Sequence, residues 1–90
     1  MKERRHLYLV IDDDPGDIEL LRRCASDISD GKGEVTAFME PETALAQLPS
    51  REFDLIFIDY MLGETTGLEV FQSIRNSGCD LPVIILTGQG

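Results

Sequence analysis

A chain of 90 residues carrying a net charge of −9, with 42% hydrophobic and 28% charged residues, has the makings of one small globular domain. That charge disfavours nucleic acid as a partner, because phosphate backbones are held by a basic face. No apolar run approaches the roughly 20 residues of a membrane span. The basic start, Met1 to His6, is followed by too short an apolar stretch for a signal peptide, so a cytoplasmic setting is expected. The two cysteines, Cys24 and Cys79, lack metal-ligand spacing and are expected to be reduced and buried.

Taken in chain order, short apolar runs alternate with helical patterns. Leu7-Tyr8-Leu9-Val10-Ile11 is a continuous apolar run, as in a strand covered on both faces, and it stops at Asp12-Asp13-Asp14. Asp14 can cap a helix whose first position is Pro15, with Asp17 where a capping-box acid would sit. Ile18, Leu21, Ala25 and Ile28 follow at helical spacing, and Asp30-Gly31 is a stop signal. Glu34 to Phe38 predicts a second strand. Pro41 to Leu48 predicts a short helix with Ala44, Leu45 and Leu48 on one face, closed by Pro49. Phe53 to Ile58 predicts a third strand ending at Asp59. Thr66-Gly67-Leu68-Glu69 is a capping-box pattern that opens a helix carrying Leu68, Phe71 and Ile74 and ending near Asn76-Ser77-Gly78. Val83 to Leu86 predicts a fourth strand, ending at Thr87-Gly88. Strands joined by helical crossovers run parallel, so the expected architecture is an α/β sheet with helices on both faces.

In such a sheet, ligands bind beyond the carboxyl ends of the strands, where the strand order reverses. Asp12 and Asp13 follow the first strand, Asp59 the third and Thr87 the fourth. His6, Lys32 and Asp80 fall at the opposite edge. Three converging carboxylates repel one another and raise one another's pKa unless a cation shares the site. Mg²⁺ suits one or two carboxylates with waters and phosphate oxygens, leaving one carboxylate as a nucleophile toward a phosphoryl group. The plainer reading is that Asp12, Asp13 and Asp14 only end a strand and cap a helix, which suits Asp14 best, and that Asp59 is a turn residue.

Three segments resemble the signatures of response-regulator receiver domains of two-component signal transduction. They are Leu9-Val10-Ile11-Asp12-Asp13-Asp14, Ile56-Phe57-Ile58-Asp59-Tyr60-Met61-Leu62 and Val83-Ile84-Ile85-Leu86-Thr87-Gly88, with Gly67 opening the third helix. The resemblance implies a doubly wound, flavodoxin-like α/β fold with strand order 2-1-3-4 over residues 1–90. It implies that Asp59 is the phosphoacceptor. Asp12 and Asp13, with Asp59 and the backbone carbonyl of Met61, would hold Mg²⁺, and Thr87 would be the hydroxyl that meets the phosphoryl group. The phosphoryl would come from a sensor histidine kinase or a phosphotransfer protein, so the domain accepts a phosphoryl group rather than turning over a substrate.

Two departures accompany the resemblance. Gly63 stands where many family members have proline, a loop change expected to be tolerable. The family's fifth strand, last two helices and a late lysine have no counterpart before Gly90; the two lysines present, Lys2 and Lys32, belong to the opposite edge. The expectation is therefore a receiver truncated after its fourth strand. That strand would be an apolar edge, and a homodimer or swapped assembly would cover it. The alternatives are a receiver-derived interaction module with an impaired site and a haloacid-dehalogenase-type phosphatase fragment. In the second, Asp12 and Asp14 would be nucleophile and acid and Thr87 a phosphate ligand, but Gly16 replaces an expected threonine or valine and Asp59 has no role.

Overall fold

A computed structural model describes residues 6–28, 33–50 and 52–87. In chain order the elements are β1 (His6–Ile11), α1 (Pro15–Ile28), β2 (Gly33–Phe38), α2 (Pro41–Gln47), a 3₁₀ turn (Leu48–Ser50), β3 (Leu55–Asp59), β4 (Met61–Leu62), β5 (Thr65–Thr66), α3 (Gly67–Asn76) and β6 (Val83–Leu86). Four strands form a parallel sheet in the order β2-β1-β3-β6. This is the expected 2-1-3-4 order, since β6 is the fourth strand of that sheet. The sites expected at Asp30-Gly31, Lys2 and Lys32 lie outside the described residues.

Side-chain alternation divides the sheet into two faces. Leu9, Ile11, Ile56 and Ile58 point to one of them and are buried with Ala44 of α2 and Val70 and Ile74 of α3, joined by Phe53 and Leu62. Full burial of each such aliphatic side chain contributes about 1.5–3 kcal/mol. Val10 and Val35 point the other way and are buried with Ala25 of α1, flanked by Tyr8, Ile18, Leu21 and Phe57. Tyr8 meets the Phe57 ring edge-on, at a centroid distance of 6.0 Å.

Local chemistry fixes the helix starts. The Asp14 carboxylate accepts the Gly16 N–H at 3.0 Å, capping α1. The Asp14 N–H that a capping box would offer to Asp17 is donated instead to the Asp12 carboxylate, at 2.9 Å, so Asp17 is not the capping-box acid. The box expected at α3 is complete: the Thr66 hydroxyl accepts the Glu69 N–H and the Glu69 carboxylate accepts the Thr66 N–H, each at 3.3 Å.

Several expectations need correction. The third strand begins at Leu55 rather than Phe53, although Phe53 is buried just before it. There Asp54 ties two strands together, its N–H donating to the Leu7 carbonyl at 2.7 Å and its carboxylate accepting the Leu7 N–H at 2.8 Å. Helix α2 stops at Gln47 and tightens into a 3₁₀ turn around Pro49. Leu68 is 53% exposed; Gly67, Val70 and Ile74 form the buried stripe of α3 at helical spacing, and Leu68, one residue on from Gly67, is turned about 100° away from it. Cys24 is exposed and Cys79 half-buried, so neither is a buried filler, though both are free thiols. Between β3 and α3 lies an unforeseen hairpin, β4 against β5, with Leu62 opposite Thr65. Gly63 begins its two-residue turn at φ +66°, a conformation closed to proline.

Candidate functional site

The carboxyl ends of β1 and β3 lie side by side, with Ile11 opposite Ile58. The residues that follow or end those strands therefore converge. Asp12, Asp13 and Asp59 each bring a carboxylate oxygen within 4.8 Å of the others. Asp12 is buried, at 2% exposure, Asp59 is half-buried and Asp13 is exposed. The main chain clamps this edge: the Asp12 N–H donates to the Phe38 carbonyl at 3.0 Å and the Tyr60 N–H to the Leu86 carbonyl at 2.8 Å.

Gly67 carries the loop after Asp59. Its N–H donates to the Tyr60 carbonyl at 2.7 Å. A Cβ there would stand 2.9 Å from the Asp59 carbonyl oxygen and 3.2 Å from both the Tyr60 Cα and the Ile58 Cγ2. The position needs glycine because the start of α3 packs against the backbone of the site.

Electrostatics follow from burial and crowding. The Asp12 pKa is pushed up from 3.8 to about 6, first by burial and then by the charges of Asp59, Asp17 and Asp13, against the opposing Asp14 N–H. Asp59 is also raised, first by burial and then by Asp13 and Asp17, while the N–H groups of Met61 and Tyr60 pull it back. Repulsion was the effect expected from the sequence; desolvation leads it at both residues. An all-oxygen, partly buried set of three carboxylates fits a small hard cation such as Mg²⁺.

The other expected residues take their places around this trio. Thr87 directly follows Leu86, the residue paired with Asp59, and so stands at the same edge. Met61 is exposed at the start of β4, and its N–H engages the Asp59 carboxylate. His6 begins β1 at the opposite edge, stacked on Tyr8. Sequence reading missed Asp17 as a neighbour of the site. It lines a cavity with Asp12 and Asp59, and its local signal was that of a helix-capping acid.

A parallel sheet in the order 2-1-3-4, with helices on both faces and its candidate site at the carboxyl edge, places the domain in the flavodoxin-like class of α/β folds. Within that class the chain belongs to the response regulator receiver domain family, whose sequence profile matches residues 8–90. It is 32% identical over 81 residues to the transcriptional regulatory protein CiaR of Streptococcus pneumoniae, an alignment covering 90% of this chain and 34% of that protein. The chain thus spans about a third of the length of that relative. The MaeR response regulator bound to beryllium trifluoride shares the fold, with a TM-score of 0.81 at 21% identity, covering 94% of this chain and 69% of that one. A chain in the crystal structure of histidine kinase ThkA in complex with response regulator protein TrrA matches at 30% identity and a TM-score of 0.77, covering 94% and 71%. No described helix is long and apolar enough to cross a membrane.

Proposed function

We propose that this domain accepts a phosphoryl group on Asp59 in a cytoplasmic two-component phosphorelay. The observation that carries the reading is the convergence of Asp12, Asp13 and Asp59 within 4.8 Å at the carboxyl edge of a receiver sheet. Asp12, Asp13, Asp59 and the Met61 carbonyl would hold Mg²⁺, which when bound neutralises charge on the acids and on the phosphoryl oxygens. In the transfer, an Asp59 carboxylate oxygen bonds to phosphorus as the P–N bond to a donor histidine breaks. The electron pair returns to an imidazole that is protonated on its other nitrogen and leaves neutral. Thr87 supplies a hydroxyl to the phosphoryl oxygens once they arrive.

The donor is a sensor histidine kinase or a phosphotransfer protein, a partner in keeping with the kinase complex among the structural relatives. The role is that of a phosphoacceptor and not of a turnover enzyme. Self-association through β6, where Ile84 is 42% exposed, belongs to the same proposal and is checked by sedimentation. The main test is intact mass after incubation with a small phosphodonor and Mg²⁺, beside Asp59→Asn. One metal-dependent phosphoryl adduct, absent from the variant, is expected. An unmodified wild type that still binds Mg²⁺ would make the domain an interaction module instead.

A further inference from the structure

A fourth carboxylate looks into the same site. Asp17, in the first turn of α1, lines a cavity of about 220 Å³ with Asp12, Asp59, Leu20, Leu21 and Leu86. It is exposed, and the capping bond that its position suggests is taken by Asp12. Two walls of the cavity, Leu20 and Leu86, carry no charge to offset it. Any ion entering over Asp59 from this side passes the Asp17 carboxylate.

We infer that Asp17 is a charge filter at the mouth of the phosphoacceptor site, drawing a divalent cation toward the acidic trio and disfavouring phosphodonors in proportion to their negative charge. The inference rests on the phosphoacceptor reading for its second half. Asp17 is placed to act on both residues, since it lines one cavity with Asp12 and Asp59. Its effect is local rather than one of net charge. Asp27, also exposed on α1, lies ten residues further along, about 15 Å of helix. That exceeds the screening length of about 10 Å at 0.1 M salt. Removing Asp27 changes the net charge equally and leaves the site's field nearly untouched.

Two free donors differ in charge at neutral pH: acetyl phosphate is a dianion and phosphoramidate a monoanion. In each, the Asp59 oxygen bonds to phosphorus as the bond to the leaving group breaks, acetate or ammonia departing with the electron pair. Labelling rates at saturating Mg²⁺ and 0.1 M salt are compared for the wild type, Asp17→Asn, Asp17→Glu and Asp27→Asn. Asp17→Asn should react about two- to fivefold faster with acetyl phosphate and less than that with phosphoramidate, the gain shrinking in 1 M salt. Asp17→Glu and Asp27→Asn should follow the wild type. Calorimetric titration with Mg²⁺ alone should show Asp17→Asn binding about two- to fivefold more weakly, again with Asp27→Asn unchanged. Equal behaviour of Asp17→Asn and Asp27→Asn in both experiments overturns the inference. A wild type that takes no phosphoryl group overturns the phosphoacceptor reading, and the Mg²⁺ titration then decides the cation half alone.

Discussion

On the α2 and α3 face of the sheet, Leu9, Ile11, Ile56 and Ile58 vanish beneath two helices. On the α1 face the buried hydrophobic residues among those described are Val10, Val35 and Ala25, and Phe57, Leu86 and the 42%-exposed Ile84 stay partly open. A single strand serves both. In β3, Ile56 and Ile58 anchor the packed face, while Phe57 and Asp59, one residue out of phase, belong to the open one. The division is useful for chemistry. The Asp59 carboxylate, which in the proposed reaction meets a cation and a phosphoryl group, sits on the accessible side, and its own strand is held from behind.

That contrast can be broken by the same substitution on each face. Ile58→Ala should lower stability by about 2–4 kcal/mol, as for other fully buried isoleucines. Ile84→Ala should cost less than about 1 kcal/mol, because much of its surface is already in water. Urea unfolding of both variants decides it; equal losses would mean that the open face is covered in solution.

The buried acid sharpens the contrast through pH. The folded-state pKa of Asp12, about 6, lies above its ordinary 3.8, so the folded protein binds this proton more tightly than the unfolded chain. The associated stability is fully present below pH 3.8 and is lost as pH rises through about 6. In metal-free buffer, Asp12→Asn should therefore be more stable than the wild type at pH 7.5, by about 1–3 kcal/mol, and the difference should shrink toward pH 4. Added Mg²⁺ should stabilise the wild type and not the variant. Unfolding midpoints with a chelator and with Mg²⁺ test both statements.

The smallest effect expected is at Leu68. Serine there should change stability by no more than about 0.5 kcal/mol, since the side chain is mostly exposed in the first turn of α3. A larger loss in thermal unfolding would mean that the patch is buried against another molecule.

These residues also explain what could be read in advance. The four parallel strands were legible because strands covered on both faces are continuous apolar runs, and the cap of α3 because its partners lie three residues apart. The acidic trio was legible once the strand ends were placed, since topology brings them together. The hairpin of Met61–Leu62 and Thr65–Thr66 was not, because two-residue strands leave no periodicity to detect. Leu68 was misplaced because the buried stripe of α3 begins at Gly67, which has no side chain to mark it, so the neighbouring leucine was read into its place. Asp17 was overlooked because its closeness to Asp59 exists only across the fold, 42 residues apart in the chain.

Gly67 gives the domain a constraint that no inventory of reacting groups would contain. With 2.9 Å between an added Cβ and the Asp59 carbonyl oxygen, even alanine must push the Asp59 main chain aside. In a survey of all single substitutions, this position should therefore tolerate almost nothing, although its own atoms hold no charge, metal or proton. Sequence drift in descendants of this chain would be freer at exposed positions far along α1, such as Arg23 and Asp27, than at a residue whose whole contribution is the volume it does not occupy.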